Sequence, residues 1–94
     1  MKAKMHNYSD WVEETNPSKL YDYYNEVLLA SGFKVLNVVE EHFKPYGYTA
    51  LFLLGESHFA IHTFPEQDTT YIELSSCVQQ PYYNLLKIIT NGQK

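Results

Sequence analysis

Two apolar segments that flank a short polar break constrain this chain more than any other feature. Tyr48 to Leu54 is nearly continuous in apolar residues, and a second segment follows at about 58–64. Gly55 interrupts them and puts the Glu56-Ser57 junction at the start of the second segment. Polar side chains at positions that a core strand would bury cost stability unless they are hydrogen-bonded or functional. The break therefore predicts two strands separated at Gly55 and a functional role for the polar residues beside it.

Two helices are expected from capping signals and from helical spacing of apolar residues. Asn16 as N-cap, Pro17 as the first helical residue and Gly32 as the C-terminal stop predict a helix at about 17–31. Its apolar stripe, which should cover one face of a sheet, consists of Leu20, Tyr24, Val27 and Leu28. A second, shorter helix is expected from Pro81 to Asn91-Gly92, with Tyr82, Leu85, Leu86 and Ile89 on one face.

Further strands are expected at about 3–12, 33–43 and 69–77. In the first of these the alternation is poor, and Tyr8 and Trp11 are its expected buried members. The apolar strand at 48–54 is expected to be central. This order of elements predicts one α+β domain over residues 1–94, a two-layer sandwich in which an antiparallel β-sheet carries two helices on one face.

Composition excludes several classes of partner. The net charge of −4 disfavours binding to a phosphate backbone and is compatible with a cationic small molecule, so no nucleic acid is expected. No apolar run approaches the roughly 20 residues that span a membrane, and the N-terminus lacks the apolar core of a signal peptide. A single cysteine cannot form an internal disulfide. These features predict a cytoplasmic protein with no membrane association.

The polar run between the two apolar strands resembles the processing site of the S-adenosylmethionine decarboxylase proenzymes in their short prokaryotic, pyruvoyl-dependent form. That family carries Glu-Ser-His, two variable residues, Ile-His-Thr, an aromatic residue and Pro-Glu. Phe64 stands where the family usually has Trp. The matched positions form one ungapped run and are Glu56, Ser57, His58, Ile61, His62, Thr63, Pro65 and Glu66.

The resemblance implies roles for residues inside and outside this run. It places self-cleavage between Glu56 and Ser57. It makes Cys77, which lies twenty residues after Ser57, a catalytic proton donor. Thr49 stands where the family has a serine that assists processing. The implied substrate-binding residues are Phe43, whose family analogue stacks on adenine, Glu66, whose family analogue hydrogen-bonds ribose hydroxyls, and Phe64.

The chemistry of decarboxylation also favours a pyruvoyl group. Loss of CO₂ from an α-amino acid leaves a carbanion that needs an electron sink, which a Schiff base to a carbonyl provides. No lysine lies in an obvious pyridoxal-phosphate setting and no Gly-rich loop would hold its phosphate, so that cofactor is not expected. A pyruvoyl group derived from Ser57 is the alternative. Its formation needs the Ser57 hydroxyl, a base, for which His62 is the candidate, and a hydroxyl donor, for which Thr49 is the candidate.

Several of these residues have a structural alternative. Ser57 is also a plausible turn serine, His62 a core histidine and Cys77 a small buried hydrophobe. His58 and His62 have a spacing that separates them by about 13 Å on a strand, so no metal is expected. Ser57 and His62 point to opposite faces of a regular strand, so their joint action requires Ser57 to lie in a bend or bulge, which Gly55 would allow.

The expected function is the decarboxylation of S-adenosylmethionine, which supplies the aminopropyl donor for spermidine biosynthesis. The family's usual Asp-Ile-Phe-Thr-Cys-Gly reads differently at 73–78, which keeps ornithine or arginine open as substrates. The short chain keeps open a non-processing homologue that only binds a ligand or a partner. A homodimer of processed protomers is expected, because short family members dimerise and because a sheet with helices on one face leaves its other face uncovered.

Overall fold

The structure is a computed structural model that describes residues 2–92, and these form one five-stranded antiparallel sheet and two α-helices. The elements are β1 (His6–Val12), α1 (Pro17–Ser31), β2 (Val35–His42), β3 (Tyr48–Leu54), β4 (Ser57–Phe64), a 3₁₀ turn (Pro65–Gln67), β5 (Thr69–Ser76) and α2 (Gln79–Gly92). The strand order across the sheet is β1-β5-β4-β3-β2, so β4 is the middle strand. The predicted α+β sandwich is confirmed.

Helix α1 begins and ends where its local signals predict. The Asn16 side chain accepts a hydrogen bond from the Lys19 backbone N–H at 3.0 Å, and Pro17 opens the helix. Gly32 adopts a left-handed conformation with φ of 104°, and its N–H bonds to carbonyls of the last turn. The predicted stripe is buried, since all four of its residues are at most 5% exposed.

The two faces of the sheet differ in cover. One face packs against the helices and forms the core, to which the strands contribute Tyr48, Ala50, Phe52, Leu54, Phe59, Ile61, Ile72 and Leu74. The opposite face, called the open face below, carries apolar side chains that remain exposed. Val39, Leu51 and Leu53 on this face are 59%, 47% and 53% exposed. Burial therefore alternates along β3, as expected for an antiparallel strand with one covered face.

Trp11 is the clearest departure from the predicted core. It was expected to be buried, but it lies on the open face and is 56% exposed. Tyr8, the other expected member, is partly buried and packs against the core. Alternate residues of a strand point to opposite faces, so Tyr8 and Trp11 cannot both face the helices. Their spacing of three residues in the sequence already indicated that they lie on opposite faces of the strand.

Element boundaries shift by a few residues from those predicted. β1 begins at His6, β2 is shorter than the predicted 33–43 at both ends, and β5 ends one residue before Cys77. α2 begins two residues before Pro81. β3 lies inside the sheet, but the central position belongs to β4. Within residues 2–92, neither helix has the length and hydropathy needed to cross a bilayer.

Candidate functional site

The Glu56–Ser57 peptide bond lies at a tight turn between two interior strands. Leu54 of β3 pairs with Ser57 of β4, so Gly55 and Glu56 alone make the connection. The positive φ in this turn belongs to Glu56, at 58°, and not to the glycine. A non-glycine residue in the left-handed region carries a conformational cost, and such residues are concentrated at functional sites. The candidate cleavage bond thus lies at the end of the sheet, directly after a residue in this uncommon conformation.

The Ser57 hydroxyl points to the covered face and is held by a second serine. Ser57 is 7% exposed, and its Oγ donates a hydrogen bond to Ser76 Oγ at 2.7 Å. Ser76 Oγ also accepts from the Val78 backbone N–H at 2.9 Å. These two contacts fix the position of the acceptor and hence the orientation of the Ser57 hydroxyl.

Ser76 is a site residue that was not predicted from the sequence. It lies on the core-facing side of β5, the same side as Thr70, Ile72 and Leu74, and it is fully buried. A serine at the end of an inward-facing series was the available signal, because a buried hydroxyl requires a partner. The partner could not be named without the pairing of β4 with β5, which puts Ser57 opposite Ser76.

Cys77 directly follows β5 and lies beside the β3–β4 turn. Its Sγ is 3.2 Å from Glu56 Oε1 and 3.5 Å from the Glu56 backbone carbonyl oxygen, the carbonyl of the candidate cleavage bond. Hydrogen bonding to the Glu56 carboxylate, partial loss of hydration and the Glu56 charge raise the pKa of the Cys77 thiol. The thiol is partly exposed, so it is not a buried hydrophobe. Glu56, Ser57, Ser76 and Cys77 are called the junction cluster below.

A second group of candidate residues gathers at the other end of β3 and β4. Thr49 and His62 face each other across the two strands, with Thr49 Oγ1 3.0 Å from His62 Nδ1. Phe43 comes from the β2–β3 loop, and Phe64 and Glu66 come from the end of β4 and the 3₁₀ turn. All five line a cleft of about 440 Å³ and are called the cleft cluster below. His62 is half-buried on the open face, so it is not a core histidine.

Two aromatic residues that the sequence did not assign to a site extend the cleft cluster across the sheet. The Tyr71 ring stacks with the His62 ring at a centroid distance of 6.4 Å. The Trp11 ring lies beside the rings of Tyr71 and Phe64, at centroid distances of 5.1 Å and 5.7 Å. The Trp11 ring, although 56% exposed, therefore has aromatic neighbours on the open face. Only the β1–β5 pairing, which puts Trp11 opposite Tyr71, brings them together.

The two clusters do not meet within one chain. Ser57 and His62 lie five residues apart on β4, a separation of about 17 Å along a strand. Their side chains point to opposite faces of the sheet, and β4 pairs with both neighbours in unbroken register over this span. The bend or bulge that would bring them together is absent from β4. The irregular backbone lies before Ser57, at Glu56, where it does not change the facing of His62.

The two histidines of β4 do not form a metal site with their neighbours. His58 and His62 share the open face, and three residues of strand lie between them. Within residues 2–92 no group of three His, Cys, Asp or Glu side chains has the proximity that binding a metal ion requires.

An antiparallel α+β sandwich that gathers two hydroxyls, a thiol and a carboxylate at one hairpin turn defines a candidate enzyme domain. The chain belongs to the S-adenosylmethionine decarboxylase family, because the model of that family matches residues 7–91.

Relatives in this family are similar to part of the chain. The S-adenosylmethionine decarboxylase proenzyme 2 of Bacillus cereus is 53% identical over 47 residues, which cover 50% of this chain and 38% of that protein. The S-adenosylmethionine decarboxylase proenzyme of Prochlorococcus marinus is 40% identical over 50 residues, which cover 53% of this chain and 40% of that protein. The chain thus spans less than half the length of the curated relatives that it matches.

The fold is similar to that of a solved family structure. The adenosylmethionine decarboxylase from Aquifex aeolicus superposes with a TM-score of 0.70 at 18% sequence identity. The match covers 93% of this chain and 77% of that chain. This similarity supports the shared sandwich fold.

Proposed function

We propose that residues 1–94 form a single self-cleaving domain that becomes a pyruvoyl-dependent decarboxylase of S-adenosylmethionine and supplies the aminopropyl donor for spermidine biosynthesis. The observation that carries the proposal is the junction cluster. The Ser57 hydroxyl, the Glu56 carbonyl and the Cys77 thiol lie together at one exposed turn of a domain from this family.

The proposed cleavage uses these groups in the following order. Ser57 Oγ attacks the Glu56 carbonyl carbon, its proton passes to the Ser57 nitrogen, and the amide becomes an ester. Removal of the Ser57 α-proton then breaks the bond between Cβ and the ester oxygen. Glu56 leaves as a carboxylate and residue 57 becomes dehydroalanine. Water replaces its nitrogen, ammonia is released, and a pyruvoyl group begins the 57–94 fragment.

The chain's own residues assist this step. Ser76 Oγ accepts from the Ser57 hydroxyl and orients it. The Cys77 thiol donates to the Glu56 carbonyl oxygen, where negative charge develops during attack. The pyruvoyl group, once formed, supplies the electron sink for loss of CO₂. Cys77 is the proton donor for the product carbon, and its raised pKa keeps the thiol protonated near neutral pH.

The cleft cluster fits the rest of the substrate. Phe43 and His62 offer two ring faces that a purine can stack against, and the Glu66 carboxylate accepts hydrogen bonds from ribose hydroxyls. Phe64 adds an apolar wall that Trp11 supports. The negative net charge suits a sulfonium substrate.

The site is completed by a second copy of the chain. The junction and cleft clusters lie at opposite ends of β4, and the open face between them exposes Val39, Leu51 and Leu53. A two-fold axis that lies between two stacked open faces, parallel to the sheets and at right angles to β4 at the level of Ala60, places the junction cluster of one copy at the same end of the interface as the cleft cluster of the other. His62 and Thr49 of the partner then serve as base and hydroxyl donor for cleavage at Ser57.

The proposed location is the cytoplasm. Cys77 is the only cysteine of the sequence, and the proposal requires it as a free thiol. A reducing compartment preserves that form.

Substrate choice tests the function directly. The purified protein is incubated separately with carboxyl-labelled S-adenosylmethionine, ornithine and arginine, and released CO₂ is measured. We expect release from S-adenosylmethionine alone, because only this substrate carries the purine and ribose that the cleft cluster fits. Release from ornithine or arginine would instead support the decarboxylase of another amino acid. Cleaved protein that releases CO₂ from none of the three would contradict the proposal.

Mixed dimers test the shared site. Neither Ser57→Ala nor His62→Ala should cut itself when expressed alone. When the two variants are co-expressed, we expect the His62→Ala chain to be cut, because its Ser57 meets the intact His62 of the partner. The measurement is denaturing mass spectrometry, with sedimentation to show twice the chain mass. A mixed preparation that dimerises and stays whole would contradict action between copies.

A further inference from the structure

The Glu56 side chain has a contact that its place beside the cleavage bond does not require. Glu56 is exposed at the second position of the β3–β4 turn, with φ of 58°. From there its carboxylate Oε1 reaches Cys77 Sγ at 3.2 Å, while its own carbonyl oxygen lies 3.5 Å from the same sulfur. The single S–H proton of Cys77 therefore has two acceptors within reach on one residue, the side-chain carboxylate and the backbone carbonyl.

We propose that Glu56 is a positioning residue that holds the Cys77 thiol in its protonated form and directs it to the junction, in addition to ending the N-terminal fragment. The proposal rests on the proposed function only where it assigns the thiol to product protonation. The contact itself, and its effect on the thiol, stand without any assumption about activity.

Electrostatics supports this role. A thiol that donates to a carboxylate loses that hydrogen bond when it ionises, and the resulting thiolate would lie beside a like charge. Both effects raise the pKa of the Cys77 thiol, and Glu56 is the source of both.

Within residues 2–92, Glu56 is the one charged group that shifts the pKa of the Cys77 thiol. On the adjoining strands His6 pairs with Ser76 and His58 pairs with Ser75, and neither histidine contributes to the pKa of the thiol. The first turn of α2 begins with two uncharged glutamines. A backbone hydrogen bond at Cys77 lowers the pKa of its thiol, but it is the weakest of the four causes.

Cleavage would strengthen the arrangement. When the Glu56–Ser57 bond breaks, the Glu56 carbonyl becomes the terminal carboxylate of the N-terminal fragment. The thiol then has two carboxylates of the same residue beside it. The protonated thiol required for turnover is therefore stabilised by the residue that cleavage releases from its peptide bond.

The experiment measures the thiol pKa from the rate of iodoacetamide alkylation across a range of pH. Cys77 is the single cysteine, so the reaction reports on one site. The measurement is made in the uncut Ser57→Ala background, where Glu56 keeps its peptide bond. We expect Glu56→Gln to shift the midpoint to lower pH and to speed alkylation near neutral pH, because the amide keeps the shape but removes the charge. Glu26→Gln, which changes an exposed carboxylate of α1, should leave the midpoint in place. An unchanged midpoint in Glu56→Gln would overturn the proposal.

The pH profile of decarboxylation in the cut protein is the second readout. Activity that needs a protonated thiol is lost as the pH rises through the thiol pKa. If Glu56 raises that pKa, the basic limb of the profile moves to lower pH in Glu56→Gln and stays in place in Glu26→Gln. A midpoint that falls while the basic limb does not move would overturn the role of Cys77 as proton donor, while the effect of Glu56 on the thiol would stand.

Discussion

Purified protein is expected to contain two fragments, residues 1–56 and 57–94, and Ser57→Ala is expected to remain one chain. The hydroxyl of Ser57 is the group that Ser76 holds at the start of β4, and its removal leaves no nucleophile for the Glu56 carbonyl. The effect should be all or none. Denaturing mass spectrometry measures it, and the 57–94 fragment should carry the mass change of a pyruvoyl terminus.

Two variants sharpen this test. Ser9→Ala removes a hydroxyl from an exposed position of β1 and should cut normally. Ser76→Ala removes the acceptor that orients Ser57, so it should cut slowly while keeping the nucleophile. Wild-type protein that stays whole after long incubation would favour the homologue that only binds a ligand or partner. Cleavage of Ser57→Ala at the wild-type rate would remove Ser57 from the mechanism.

Cys77→Ala is expected to be cut, more slowly than the wild type, and then to lose most of its decarboxylation. Slower cutting follows because one donor to the Glu56 carbonyl oxygen is gone while the Ser57 nucleophile remains. Loss of a positioned general acid lowers the rate by about 10²–10⁴-fold. Fragment masses measure the first effect, and CO₂ release per cut chain measures the second.

Cys77→Ser separates the two roles of the thiol. A hydroxyl can still donate a hydrogen bond to the Glu56 carbonyl, so cutting should recover toward the wild-type rate. It is a much weaker acid than a thiol, so decarboxylation should stay low. Full CO₂ release by cut Cys77→Ala would show that the thiol is structural, and the assignment of Cys77 as proton donor would fail.

Much of the candidate site was predictable because its signals are local. The run from Glu56 to Glu66 resembles the processing site of the family, and the resemblance implies that Cys77, twenty residues after Ser57, is the catalytic thiol. The contacts of these residues were not predictable. The hydrogen bond from Ser57 to Ser76 and the contact of Cys77 with Glu56 both depend on the pairing of β4 with β5.

The faces of the sheet show the same limit. Trp11 has a large apolar side chain of the kind that usually lies in a core. Its exposure is explained only by its pairing with Tyr71 and by the absence of a helix over that face. His62 was predicted as the base for Ser57, but the regular register of β4 puts the two side chains on opposite faces.

Sequence alone determined the features that neighbouring residues control. Asn16, Pro17 and Gly32 set the ends of α1, since caps and backbone preferences act over three or four residues. Tertiary structure alone decided how the site is divided. The separation of Ser57 from His62, and the open face that a second copy can cover, depend on strand register and on which face the helices occupy. These are set by packing between segments far apart in the chain, for which no local signal exists.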